Sequence, residues 1–160
     1  MLVDPNATSG ESAPREVQAA AASINQQIEV LHASTNREIN TAFESHVQKR
    51  ADALLVGSNT LFGNRRVQLV TLAAHHRVPT IYPTRVFVES GGLMSYGPTN
   101  TESGRQAGIY AGRILKGEKP SDLPVMLPTK FEFVINLQTA GLLGITIPPT
   151  LLAIADEEIE

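Results

Sequence analysis

Between Ala51 and Gly97 three short apolar runs each stop in a polar, turn-forming loop, a rhythm that restricts the fold more than any other feature of the chain. The runs are Ala53-Leu54-Leu55-Val56, Thr80-Ile81-Tyr82 and Leu93-Met94-Ser95-Tyr96. Each is too short for a stable helix and is bounded by glycine or proline, the pattern of a buried strand. A helical pattern of Val67, Leu69, Val70, Leu72 and Ala73 separates the first two. Strands alternating with helices make a parallel sheet covered on both faces, with the loops at the strands' carboxyl ends along one edge. Ligands bind at that edge. Here it carries Gly57-Ser58-Asn59, Pro83-Thr84-Arg85 and Gly97-Pro98-Thr99, which offer hydrogen-bonding groups but no catalytic set. The expectation is an α/β fold with a recognition surface.

The rest of the chain continues the alternation. Leu2-Val3 reads as a strand running into a turn at Asp4-Pro5-Asn6. Ser12 and Pro14 suit a helix start, with Val17, Ala20, Ala21, Ile24 and Ile28 as its apolar stripe. Ile28 to Leu31 reads as the next strand. Thr35 and Glu38 form a capping box for a helix buried through Ile39, Ala42, Phe43 and Val47 and closed by Lys49-Arg50. Val86-Phe87-Val88 reads as irregular, stopped by Gly91-Gly92. A second capping box, Thr99 with Glu102, opens a helix near Thr101 whose Gly104, Gly108 and Gly112 predict close packing against the sheet. Prolines at 120, 124 and 128 hold the stretch from Lys116 extended. Phe131 to Ile135 is one more strand, Gly144 ends a short helix from Thr139, Pro148-Pro149 opens a last helix, and the acidic tail from Asp156 is expected to fray.

A chain of 160 residues makes one domain. Its net charge of −3 supplies no positive field for phosphate backbones, so nucleic acid is excluded as a partner. Without cysteine there are no disulfides or thiolate metal sites. No window approaches the length of a membrane span, and the first residues have no basic segment followed by an apolar run.

Individual residues narrow the chemistry. Ser58 lacks the second glycine of a Gly-x-Ser-x-Gly elbow, so a turn that caps the following helix while presenting Ser58 and Asn59 to a small ligand is the favoured reading. His75 and His76 point about 100° apart on a helix and cannot share a metal; His32 and His46 have no partner at a ligand spacing. The glycines of 104–112 lie within a helix and lack Gly-Lys-Ser/Thr, so they form no phosphate loop. Arg85 suits either a two-pronged contact with a ligand carboxylate or a solvated surface. Tyr82 and Tyr96 end strands at the ligand edge, as core rings with wetted hydroxyls or as walls for an apolar or aromatic ligand. No cofactor and no metal are expected.

Three longer runs carry a resemblance. Ala-Asp-Ala-Leu-Leu-Val-Gly-Ser-Asn (51–59), Val-Pro-Thr-Ile-Tyr-Pro-Thr-Arg-Val-Phe-Val-Glu-Ser-Gly-Gly-Leu-Met-Ser-Tyr-Gly (78–97) and Arg-Gln-Ala-Gly-Ile-Tyr-Ala-Gly-Arg-Ile-Leu-Lys-Gly-Glu-Lys-Pro-Ser-Asp-Leu-Pro-Val (105–125) resemble the substrate-binding proteins of ABC importers, in the subfamily labelled for tryptophan or tyrosine. The ending, Pro-Thr-Lys-Phe-Glu-Phe-Val-Ile-Asn-Leu-Gln-Thr-Ala (128–140) with Ile-Pro-Pro-Thr-Leu-Leu-Ala (147–153), is similar to that family's C-terminal signature.

The resemblance implies a type I periplasmic-binding fold, two Rossmann-like α/β lobes hinged around a small ligand. It implies that 1–118 is the second lobe and 119–160 the hinge crossover with its strand and C-terminal helices, packing on that lobe or on a first lobe that the chain lacks. Ligand contacts then fall on Asn6, Ser58, Asn59, Tyr82, Arg85 and Tyr96. The implied ligand is amino-acid sized, with aromatic amino acids following from the subfamily label, and the implied partner is an ABC permease. Self-association through surface bared along Pro124 to Ile135 is a further expectation. The family location is periplasmic; lacking an export signal, the chain reads as cytoplasmic if it is a complete product. The alternatives are an effector-sensing regulatory domain of the same fold, which would need a basic helix-turn-helix, and a shortened paralogue without ligand. An enzyme using Ser58 or Asp4 ranks last for want of a base, and a phosphoacceptor receiver lacks its acidic pair.

Overall fold

A computed structural model describes residues 1–8, 10–49 and 51–160. Its sheet begins with β1 (Leu2–Val3) and β2 (Leu31–His32), paired in parallel. A parallel bridge from Leu2 to Val56 joins them to β3 (Leu54–Leu55), which pairs with β4 (Thr80–Tyr82), and β4 with β5 (Met94–Pro98). Next come β6 (Phe131–Asn136), antiparallel to β5, and β7 (Glu157–Ile159), parallel to β6. The expected mostly parallel α/β sheet is present. The acidic tail does not fray: β7 adds to the sheet, and Asp156 Oδ2 accepts from Phe133 N at 2.7 Å.

Helices α1 (Ser12–Ser23), α2 (Asn36–Lys49), α3 (Thr60–Asn64), α4 (Arg66–His75) and α5 (Arg85–Glu89) fill the crossovers. The main core joins Phe43 and Ile39 of α2 with Phe62 of α3, Leu69 of α4, Phe87 of α5 and Leu54 and Tyr82 of the sheet. Burying such side chains is the chief driving force for the body, at roughly 1.5–3 kcal/mol each. In α2 the inward positions are Ile39, Ala42, Phe43 and His46, not Val47, which is exposed. His46 is satisfied there because its Nε2 donates to the Ala53 carbonyl at 3.2 Å. The α1 stripe is mostly bare, with only Pro14 and Ala21 buried. Arg50 lies outside the described residues.

Both capping boxes differ from expectation. Thr35 Oγ1 accepts from Glu38 N at 3.2 Å, but Glu38 reaches back to the Ser34 amide at 2.7 Å, one residue further than the motif requires. The Ser34 hydroxyl donates to the same carboxylate at 2.9 Å, and these two donors, the amide foremost, lower the Glu38 pKa. Glu102 makes no box; it accepts from Arg105 and Gln106. Val86-Phe87-Val88 is helical in α5, with Phe87 and Val88 buried.

The largest departure is α6 (Asn100–Leu115), followed by a turn of 3-10 helix at Pro120–Asp122. A Cβ added at Gly104, Gly108 or Gly112 would meet nothing within 4 Å, so these glycines pack against no sheet. The helix runs outward instead, and residues 99–130 form an arm. The expected domain boundary at 118/119 falls inside it. A second small core of Leu93, Phe133, Ile135, Ala140 and Ile147 packs α7 (Leu137–Leu143) and α8 (Pro149–Leu152) onto β5 and β6.

Candidate ligand site at the carboxyl edge of β1 and β3

Adjacent parallel strands β1 and β3 end in turns that face one another. After β1, Asp4 Oδ1 accepts from the Asn6 amide at 2.9 Å, an Asx turn that reverses the chain. After β3, Gly57 N donates to the Leu2 carbonyl at 2.9 Å, and an added Cβ there would sit 3.1 Å from the same oxygen. The turns are therefore held close. Asp4 Oδ2 also accepts from Asn59 Nδ2 at 3.1 Å, linking them through side chains. The other end of the Asn59 amide caps α3, its Oδ1 accepting from Leu61 N at 2.5 Å.

An open hollow of about 610 Å3 lies over this pair of turns, lined by Asn6, Thr8, Ser12, Ser58, Asn59 and Thr60 together with Ala7. Its lining is amide and hydroxyl without a formal charge, suited to directional hydrogen bonds with a small polar group. Asp4 does not line this hollow but orders both turns, a linking role that its reading as part of the first turn alone did not give it. Ser12, expected as a helix cap, makes no capping bond and lines the hollow. Thr8 and Thr60 join it only because the two turns meet in space.

The other three expected ligand residues stand elsewhere. Tyr82 is in the core, stacked on Phe87 at 4.8 Å between ring centroids. Its ring fills the space over Gly92, where an added Cβ would lie 2.7 Å from Cε2. The Tyr82 hydroxyl is buried and has no hydrogen-bond partner among the described residues, and burial pushes its pKa up. It is neither a wetted hydroxyl nor a ligand wall. Each nitrogen of Arg85 already donates to a carboxylate of the chain itself: Nε to Glu89 at 2.8 Å, Nη1 to Glu132 and Nη2 to Glu157, both at 3.1 Å. These carboxylates, Glu89 foremost, raise its pKa further. Tyr96 is 58% exposed on β5, stacked on Phe131 at 5.7 Å, and does not line the hollow.

With this geometry in view, comparison with known proteins is informative. Residues 1–159 match the family described as ABC transporter substrate binding protein. The chain belongs to that family. No protein of curated function matches it. Among solved structures, this substrate-binding chain superposes on a conserved domain protein from Vibrio cholerae with a TM-score of 0.90 at 24% identity, over 98% of itself and 53% of that chain. An ABC domain from Streptococcus pneumoniae, solved in complex with L-Trp, gives 0.89 at 26% identity over 99% and 55%. The ligand-free, open structure of a substrate binding protein with adhesive properties from Clostridium difficile gives 0.69 at 21% identity over 99% and 53%. This chain therefore spans about half the length of the structures it matches.

Proposed function

We propose that this chain is the second lobe of a solute-binding component of an ABC importer, and that it contributes one wall of a two-walled site for an amino-acid-sized ligand. The observation that carries the reading is the hollow where Asn6, Ser58 and Asn59 converge at the carboxyl edge of two parallel strands, where such sheets bind ligands. The L-Trp held by the Streptococcus pneumoniae relative supports an aromatic amino acid as ligand. The lining of this wall is polar, so it addresses the ligand's amino and carboxylate groups, and apolar walls for a side chain come from the opposite lobe or from Tyr96 beside Phe131.

The lobe divides into a body, 1–98 with 131–160, and the arm. The arm's apolar surface, with Leu115, Val125 and Leu127 at 86%, 93% and 79% exposure, is the seat of the companion lobe. In isolation the chain self-associates through it. An ABC permease is the partner of the assembled protein, and the periplasm its place of action.

One wall leaves much of a ligand solvated and unbonded, so the isolated chain binds weakly. Two-dimensional NMR titration with L-Trp and other amino acids tests the reading. The expected result is weak, saturable shifts of the Asn6, Ser58 and Asn59 amides that Ser58→Ala and Asn59→Ala reduce at least about tenfold in affinity. Shifts confined to the arm, or submicromolar affinity from one lobe alone, would overturn it.

A further inference from the structure

Residues 99–130 leave the body and return to it through one antiparallel ribbon, β5 with β6. Among the described residues, the side-chain hydrogen bonds and ion pairs of this arm stay inside it: Glu102 with Arg105 and Gln106, Tyr110 with the Pro124 carbonyl, Arg113 with Glu118. The direction of the arm therefore depends on what grips the ribbon. The turn after β4 grips it twice. At Gly97 of β5 an added Cβ would lie 1.9 Å from the Pro83 carbonyl oxygen, so the ribbon's backbone rests against that turn and only glycine fits. Directly across the ribbon from Gly97 is Glu132, which accepts from Arg85 Nη1 at 3.1 Å. Arg85 Nη2 reaches Glu157 on the next strand, and Glu89 holds the remaining nitrogen.

From this geometry we infer that the turn Pro83-Thr84-Arg85 is the fulcrum of the arm: Pro83 backs β5 at Gly97 while Arg85, a positioning residue, ties β6 and β7 to the same point. Exposed ion pairs taken singly contribute little. Three carboxylates converging on one planar guanidinium against a backbone contact form a geometric clamp. The consequence for ligand rests on the two-walled reading above, because arm direction then sets the spacing between walls.

The chain has no cysteine, so Glu44→Cys on the body and Lys116→Cys on the arm, both exposed, place two spin labels and no others. Pulsed electron paramagnetic resonance of the doubly labelled full chain, diluted into an excess of unlabelled chain and without ligand, reads the distance distribution between them. Arg85→Gln is expected to broaden and shift it, Glu132→Gln to do so less, and Gly97→Ala to displace the mean. Glu118→Gln, which breaks an ion pair inside the arm, leaves the parent distribution. Circular dichroism checks that each variant is folded, and Glu132→Gln, which takes the charge from one of the three carboxylates, carries the test if Arg85→Gln does not fold. A folded Arg85→Gln or Glu132→Gln chain with the parent distribution overturns the proposal. No ligand enters the measurement, so this failure is separate from a failure of the amino-acid titration.

Discussion

The body and the arm of this lobe solve the problem of apolar surface in opposite ways. In the body, Phe43, Phe62, Tyr82 and Phe87 are all but inaccessible, and even the short α3 and α5 bury a phenylalanine each. In the arm, α6 is the longest helix, yet none of its side chains among the described residues is buried. Its apolar groups, Ile109, Ile114 and Leu115, stand exposed beside Val125, Met126 and Leu127 of the returning segment. What holds α6 is local: Glu102 to Arg105, Arg113 to Glu118, and the Tyr110 hydroxyl on the Pro124 carbonyl. The difference teaches that helix length and apolar content do not by themselves indicate where a core lies. A periodic stripe becomes core only when the topology brings another element to it.

The comparison can be broken most forcefully in the cores. Phe62→Ala, which empties a fully buried site, is expected to destabilise the chain by about 3–5 kcal/mol in urea unfolding. Leu127→Ala, on the arm, should change stability by less than about 0.5 kcal/mol and lower the self-associated fraction in light scattering. Equal losses for the two would mean that the arm packs on the body within one chain.

Glycines sharpen the contrast at smaller scale. Gly97→Ala drives a methyl into the Pro83 carbonyl and is expected to cost about 1–3 kcal/mol. Gly108→Ala, in open space on a helix, should stabilise by about 0.5–1 kcal/mol in the same assay. A destabilised Gly108→Ala chain would show that something packs on that face.

The smallest effect is in acid. Arg105 foremost, with Gln106, lowers the Glu102 pKa from the usual 4.5 to about 2. The folded arm therefore prefers the ionised carboxylate. The resulting stabilisation of α6 is complete above pH 4.5 and is lost as pH falls toward 2. Helical circular dichroism followed between pH 6 and 2 should show a small loss in that window, absent from Glu102→Gln.

Strand positions were readable because a buried parallel strand is an apolar run stopped by turn formers, as at Leu54-Leu55 and Thr80-Ile81-Tyr82. The turns at Asn6 and Ser58-Asn59 were readable for the same reason, since Asp, Asn and Ser bond their own backbone. Side-chain direction was not. Tyr82 ends β4 and Tyr96 lies in the middle of β5, and alternation sends one into the core and the other to solvent according to a register no local pattern states. For Arg85, Glu89 four residues on was a partner within reach of the sequence, but the other two lie 47 and 72 residues away, on strands whose order in the sheet is a tertiary fact. The Thr35 and Glu38 pair illustrates the limit at short range: the motif marks the helix start, but the carboxylate chooses Ser34.

By itself the sequence determined the alternation of strand and helix, the parallel sheet that follows, the polar turns along its carboxyl edge and membership of the substrate-binding family. These are consequences of spacing and turn chemistry, which act over a few residues. Tertiary structure alone decided that β7 completes the sheet, that Arg85 serves the chain's own carboxylates, that Asp4 joins two distant turns and that the glycine face of α6 is bare. Each depends on which elements meet in space, and long-range contacts are set by the packing of the whole chain.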